Sequence, residues 1–139
     1  MTVVTVTAAE VAACYPDEAE ILDVIAYETV TAGAPAYQTS AGTFGLADAN
    51  GSGTRQFRGI FLTGGGAGQA VSLLKRGHCY GYTLSGIAYD GLAYLSDTVG
   101  RIDDSVGTLT VNVGRVVALP NADLTKVLWV EADWLRTWV

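Results

Sequence analysis

Two stretches of this 139-residue chain repeat one phrase: "AYQTSAGTFGLADA" from Ala36 to Ala49 and "AYLSDTVGRIDDSV" from Ala93 to Val106. Each copy opens with Ala-Tyr, passes through small polar residues to a glycine, and resumes with a large apolar residue, Phe44 or Ile102. Glycine supplies the positive-φ position that tight hairpins require. The phrase therefore predicts two hairpins, each with a tyrosine strand, a glycine turn and a second strand.

The two hairpins lie within longer related segments, at about residues 30–62 and 88–119, which we interpret as a degenerate internal repeat. Two copies are too few for a solenoid, which needs about three stacked units. Short apolar runs separated by glycine and asparagine turns fill the chain from Glu28 onward. Roughly eight to ten short strands at this spacing predict a sandwich or barrel. The expected fold is mainly β: a small β-barrel-like domain of short antiparallel strands over residues 16–139.

Length and composition fit one ordered domain. Half of the residues are hydrophobic, 16% are charged, and there are 17 glycines, a balance opposite to that of disordered chains. The net charge of −6 argues against a nucleic-acid partner, because phosphate contacts require clustered lysine and arginine. Gly, Pro, Thr and Ser interrupt the long uncharged stretches, so we expect no membrane span.

The first fifteen residues are interpreted as an extended N-terminal arm. Its strand is β-branched on both faces, so it cannot set its register by burying one side. This pattern predicts pairing with the sheet edge of a partner, and we expect the protein to stay folded when residues 1–7 are deleted. The residues of this proposed contact are Thr2, Val3, Val4, Thr5, Val6 and Thr7.

A short helix is predicted over residues 17–26. Pro16 suits the first turn of a helix, and Asp17, Glu18 and Glu20 lie where the positive end of the helix dipole favours acids. Residues 1–54 carry acids and no base, whereas residues 49–89 carry bases and no acid. We expect the acidic segment to meet this basic edge, in the same subunit or in a neighbour.

Four sequence features suggest a catalytic, metal or cofactor site, but each lacks neighbouring residues that such a site requires. The glycine-rich run "TGGGAG" is not followed by the lysine of a phosphate-binding loop, so it is predicted to connect two strands of a hairpin. His78 and Cys79 are adjacent and would face opposite sides of a strand. One histidine and two cysteines do not make a zinc site. Neither Lys75 nor Lys126 follows a turn, as a biotinyl or lipoyl lysine would. We expect no enzymatic activity, no cofactor and no metal.

All three tryptophans lie in the last eleven residues, "WVEADWLRTWV". Such a tail either packs on its own core or forms an interface, where tryptophan is enriched. Both interpretations stay open. The candidate residues of an oligomer interface are Arg55, Arg58, Trp134 and Trp138.

A series of phrases runs through the chain in a fixed order. They are "VTAGAPAY" at 30–37, "RGIFL" at 58–62, "AGQAV" at 67–71, "GLAYLSDTVGRI" at 91–102 and "VGRV" at 113–116. In this order, from about Glu28 to Val130, the chain resembles the small capsid decoration, or cement, proteins of tailed bacteriophages. The Trp-rich tail and the acidic segment before Glu28 are departures from that pattern.

The resemblance implies a β-tulip domain with an N-terminal arm. It implies a structural virion protein, made in the host cytoplasm, that sits as a homotrimer on the outer capsid surface at three-fold and quasi-three-fold positions. There it would bind the major capsid protein and hold the shell against internal DNA pressure; residues 2–7, singled out above by their strand pattern, are the candidate contact. Two alternatives are a non-enzymatic structural protein of the phage tail or baseplate, and a host-encoded β-barrel for a small ligand.

Overall fold

The computed structural model describes residues 2–139 and shows a mainly β domain, as the sequence predicts. Helical structure in this range is limited to two three-residue 3₁₀ turns, Ala8–Glu10 and Pro16–Glu18, and no helix is long and apolar enough to cross a membrane. The strands in chain order are β1 Thr5–Val6, β2 Ala12–Ala13, β3 Glu20–Ile25, β4 Pro35–Gln38, β5 Phe44–Leu46, β6 Gly59–Phe61, β7 Ala70–Tyr80, β8 Tyr82–Thr83, β9 Leu92–Leu95, β10 Ile102–Asp103, β11 Asn112–Ala118 and β12 Lys126–Glu131.

Ten of these strands form one curled antiparallel sheet around strand β7. The sheet runs in the order β10–β9–β11–β12–β7–β6–β4–β5, while β2 and β3 pair with β7 on its other edge. Strands β1 and β8 form a separate two-stranded sheet. Strand β7 runs unbroken through Arg76-Gly77-His78, although its glycine is of the kind that often marks a turn. Gly77, at φ +144, lets β7 continue through the bend.

Both predicted hairpins are confirmed, and their registers correspond. In β4–β5, Tyr37 pairs with Gly45; in β9–β10, Tyr94 pairs with Asp103. The residue after each tyrosine pairs with the apolar residue of the repeat, Phe44 or Ile102, and both of these are buried. The turns contain Gly42 and Gly100, both at positive φ, as the turn chemistry requires.

The two hairpins meet where the curled sheet closes on itself. The backbone N–H of Gly100 donates to the carbonyl of Ala47 at 2.8 Å, and that of Ala49 donates to the carbonyl of Ser96 at 2.8 Å. These hydrogen bonds join the two ends of the sheet directly, so that the curled sheet encloses an apolar core. The largest fully buried side chains of this core include Phe57, Ile60, Phe61, Leu73, Leu74, Leu95 and Leu128.

The predicted helix over residues 17–26 is wrong, because these residues form a 3₁₀ turn followed by strand β3. Pro16 and the acids after it do begin a helical turn, but the turn ends at Glu18. From there Leu22 and Val24 are half-buried opposite Leu73 and Val71 of β7. Pairing with β7 therefore overrides the local helix signal.

Candidate functional site

The predicted N-terminal arm is extended in its backbone but does not stand free of the body. Met1 lies outside the described residues; β1 pairs with β8, and β2 pairs with β7. Val3 bridges to Asp103 of β10, so residues 2–7 occupy a slot between β8 and β10. The partner that this strand was expected to find in another protein lies in the same chain. Its role in binding another protein stays a prediction.

Val4 is the side chain that anchors this segment, at 5% exposure. Its N–H donates to the carbonyl of Ile102 at 2.9 Å, and its carbonyl accepts from Nη2 of Arg101 at 2.9 Å. The N–H of Thr2 donates to Oδ1 of Asp104 at 2.8 Å. That hydrogen bond to the carboxylate lowers the pKa of Asp104. By contrast, the side chains of Thr5 and Thr7 face solvent.

Replacing Val4 with alanine is expected to lower the free energy of unfolding by about 1–2 kcal/mol, because two buried methyl groups are lost. Its neighbour Thr5 is exposed, so Thr5→Ala is the matched control and should change stability by less than about 0.5 kcal/mol. Urea unfolding followed by circular dichroism measures both. Equal effects would contradict the docked position of the segment. The same anchoring means that deletion of residues 1–7 should also destabilise the body.

The C-terminal tail packs against its own chain. Nε1 of Trp134 donates to the carbonyl of Arg58 at 2.8 Å, and the ring packs against both halves of the core. The backbone N–H of buried Trp138 donates to Oε1 of Gln56 at 2.7 Å, and its backbone carbonyl accepts from Nε2 of the same glutamine at 2.8 Å. Of the two interpretations of the tail, this geometry favours packing on its own body for the two tryptophans.

The structure brings three of the four predicted interface residues together. Arg58 lies against the segment that carries Trp134 and Trp138, because its Nη2 donates to the carbonyl of Arg136, between them, at 3.1 Å. Burial lowers the pKa of Arg58 from its ordinary value. Arg55 instead donates to the carbonyl of Gly51 in its own turn at 3.1 Å. Their role between subunits stays a prediction, to which the tail adds Leu135, 99% exposed beside these residues.

A surface that the sequence did not single out lies along the outer side of β3. Within residues 2–139, β7 pairs with one edge of β3, and the other edge is unpaired until Ala26, which bridges to Phe44 of β5. Ile21, Ile25 and Tyr27 are 39%, 44% and 55% exposed. They alternate with half-buried Leu22 and Val24, so they share one face. We call Glu20–Ile25 together with Tyr27 the β3 edge.

The free backbone groups of the β3 edge follow from its pairing with β7. Ala26 directs both backbone groups toward the β7 end: its N–H donates to Gln69 at 2.9 Å, and its carbonyl accepts from Gly68 at 2.8 Å. Pairing alternates along an antiparallel strand. The backbone groups of Ile21 and Asp23 therefore point outward, available to another strand. Beyond them the edge is occupied, because Ala26 bridges to Phe44 of β5 and the N–H of Tyr27 donates to the carbonyl of Phe44 at 2.7 Å.

The β3 edge lacks most of the protection that edge strands usually carry. It has no proline and no lysine, and the bulge in its pairing lies at its start, between Glu20 and Ile21. Its charges are acidic. Glu20 pairs with Lys75 of the same chain at 3.3 Å, so the acidic segment does meet the basic edge within one subunit. Asp23 is left on the exposed face, where it disfavours pairing with a second β3 and favours a basic partner strand.

The titratable groups of the described chain form no metal centre. Residues 2–139 contain no group of three or more His, Cys, Asp or Glu side chains placed to hold a metal ion. Cys14 and Cys79 are both free thiols. Burial raises the pKa of Cys79 to about 12, so this thiol stays protonated and unreactive at neutral pH.

Known proteins supply no family for this chain. A scan against protein-family models found no match, and searches of curated proteins and of solved structures found no similar chain. The fold and the β3 edge are therefore the features from which a function has to be inferred.

Proposed function

We propose that this chain is a structural virion protein that binds the outer surface of a mature phage capsid as a trimer, at three-fold and quasi-three-fold positions. The observation that carries the proposal is the β3 edge, a largely apolar sheet edge on a well-packed β body that is open from Ile21 to Val24, before β5 covers it at Ala26. An exposed edge of this kind is a template for strand pairing with another chain. The ordered phrases that resemble capsid decoration proteins support the same role.

Strand addition accounts for how the protein would hold on. A capsid segment that pairs with β3 would take its affinity from main-chain hydrogen bonds and its specificity from contacts with Ile21, Asp23 and Ile25. A standard interface buries roughly 1,600 Å² in total, and three linked sites multiply a modest affinity. Binding to the mature lattice and not to the immature one stabilises the shell by mass action.

The remaining predicted contacts fit around this edge. Residues 2–7 are docked on the body, so they would contribute the exposed side chains of Thr5 and Thr7, and add a strand elsewhere only after leaving their slot. The trimer contact is assigned to the tail, where exposed Leu135 lies beside Arg58 and the packed tryptophans. Apolar side chains that project beside an arginine are typical of protein interfaces.

The direct test is co-sedimentation with heads of the phage that carries the gene, prepared without this protein. We expect saturable binding to expanded heads and little binding to unexpanded ones, together with a trimer by light scattering. Binding to isolated tails or baseplates and not to heads would favour the alternative of a tail structural protein. A chain that is monomeric both in solution and on the shell would contradict the three-fold clamp.

A further inference from the structure

A groove of about 390 Å³ lies on the surface of the sheet over strand β11. Leu92 of β9 lines one side, and Trp129 and Glu131 of β12 line the other. The volume falls within the roughly 300–1,000 Å³ of small-molecule sites. No residue of this groove belongs to the β3 edge, and none is among the tail residues that pack around Arg58.

Five residues of β11 line the groove: Asn112, Val113, Gly114, Arg115 and Val117. Gly114, at a bulge opposite β9, has no side chain. Arg115 faces Trp129 across the strands, but its guanidinium turns aside. It donates to the backbone carbonyl of Asp90 and pairs with the Asp90 side-chain carboxylate at 3.5 Å. A strip of apolar floor is therefore left open beside the indole.

Trp129 is held in place from the side away from the groove. The imidazole of His78 packs edge-on at 4.9 Å between ring centroids, and the guanidinium of Arg76 lies 5.7 Å from the indole centroid. Both belong to β7, whereas the groove lies toward β11. The indole is thus a positioned, half-exposed flat wall.

The side-chain oxygen of Asn112, a residue that lines the groove, is buried and lacks a hydrogen-bond donor among residues 2–139. Buried polar atoms without partners are rare in native proteins and require an explanation. A hydroxyl or N–H group in the groove would provide the missing donor once the Asn112 side chain turns its enclosed oxygen toward the groove, whereas an aliphatic chain would not.

The charges around the groove indicate a neutral ligand. Arg76 is paired with Glu131 at 3.5 Å, and Arg115 is paired with Asp90. Each cation already has its own carboxylate, so none is left to balance a phosphate. This argues against a nucleotide, whose base would otherwise stack on the indole.

We propose that this groove binds a neutral saccharide, with one pyranose ring stacked on Trp129. The C–H face of a pyranose is complementary to the negative face of an aromatic ring. Its hydroxyl groups can donate to Asn112 and to the half-exposed carboxylate of Glu131. A sugar therefore matches the flat wall, the unmet acceptor and the balanced charges together.

The test is a titration of the ¹⁵N-labelled full chain with three neutral trisaccharides: maltotriose, cellotriose and triacetylchitotriose. We expect at least one of them to cause saturable shifts of the Trp129 indole and of the Asn112 and Arg115 amides. The sugars are titrated to millimolar concentrations, so that a dissociation constant as weak as about 1 mM is still detected. Uridine monophosphate serves as the nucleotide probe and should not compete.

Two variants decide whether the groove is responsible. Trp129→Ala and Asn112→Leu should each weaken binding at least tenfold, while Tyr89→Ala, an exposed aromatic outside the groove, should not. Asn112→Leu removes the unpaired acceptor, so it keeps the test valid if Trp129→Ala fails to fold. No saturable shift with any of the three sugars overturns the proposal. So does binding that survives both variants, or tighter binding of the nucleotide.

Discussion

Replacing Asp23 with proline is expected to weaken head binding by more than about tenfold while leaving the body folded. The backbone N–H of Asp23 points away from β7, so proline removes a donor that only a partner strand would use. The ring also obstructs an approaching strand. Loss of one hydrogen bond and of close approach should weaken each site at least about tenfold, and the trimer more. Co-sedimentation with expanded heads measures the loss, and circular dichroism checks the fold.

Two neighbouring variants separate the backbone effect from its alternatives. Asp23→Ala removes the carboxylate and keeps the N–H, so it should retain most of the binding if main-chain pairing dominates. In Val24→Pro the lost N–H is one that pairs with β7, and we expect this variant to unfold or lose about 3 kcal/mol or more of stability. A folded Asp23→Pro protein that decorates heads with unchanged affinity would show that β3 is not the contact.

The second large effect is expected for Gly114→Ala. A methyl group at this position would overlap the carbonyl oxygen of Trp129 and lie 3.0 Å from its carbonyl carbon. Both are backbone atoms of the paired strand β12, so neither can swing aside. We expect separation of β11 from β12 and a loss of roughly 3 kcal/mol or more of stability. Urea unfolding is the measurement.

Gly53→Ala is the matched control for this substitution. Nothing lies within 4 Å of a methyl group at Gly53, and its φ is not positive, so its stability should change by less than about 0.5 kcal/mol. If Gly114→Ala unfolds at the same urea concentration as the wild-type chain, the register Gly114–Val130 between β11 and β12 is incorrect.

The parts of the fold that the sequence predicts are those decided by neighbouring residues. Gly42 and Gly100 mark the turns of the two hairpins, and the strands beside them pair with each other. The loop of residues 63–68 likewise joins two paired strands, β6 and β7, as its glycines indicate. Short-range turn chemistry is enough for these elements.

The errors arise where a distant segment decides the structure. Pro16 and its acids are a valid local signal for a helix, yet pairing with β7, some fifty residues away, makes a strand of Glu20–Ile25. The alternation of Ile21, Asp23, Ile25 and Tyr27 was the signal that could have revealed the β3 edge. Val4 similarly docks beside Ile102, and the indole of Trp134 donates to the carbonyl of Arg58, both far away in the sequence. Such partners are set by topology, which one sequence does not display.

Strand β7 determines how the domain would respond to force. Six residues of β3 pair with β7, and β6 and β12 pair with the opposite edge of β7. A pull on β3 along its axis strains these six pairs in shear, all at once, and does not peel them apart in sequence. Tension entering at β3 is then shared across the sheet, so the domain should resist stretching as a single mechanical unit.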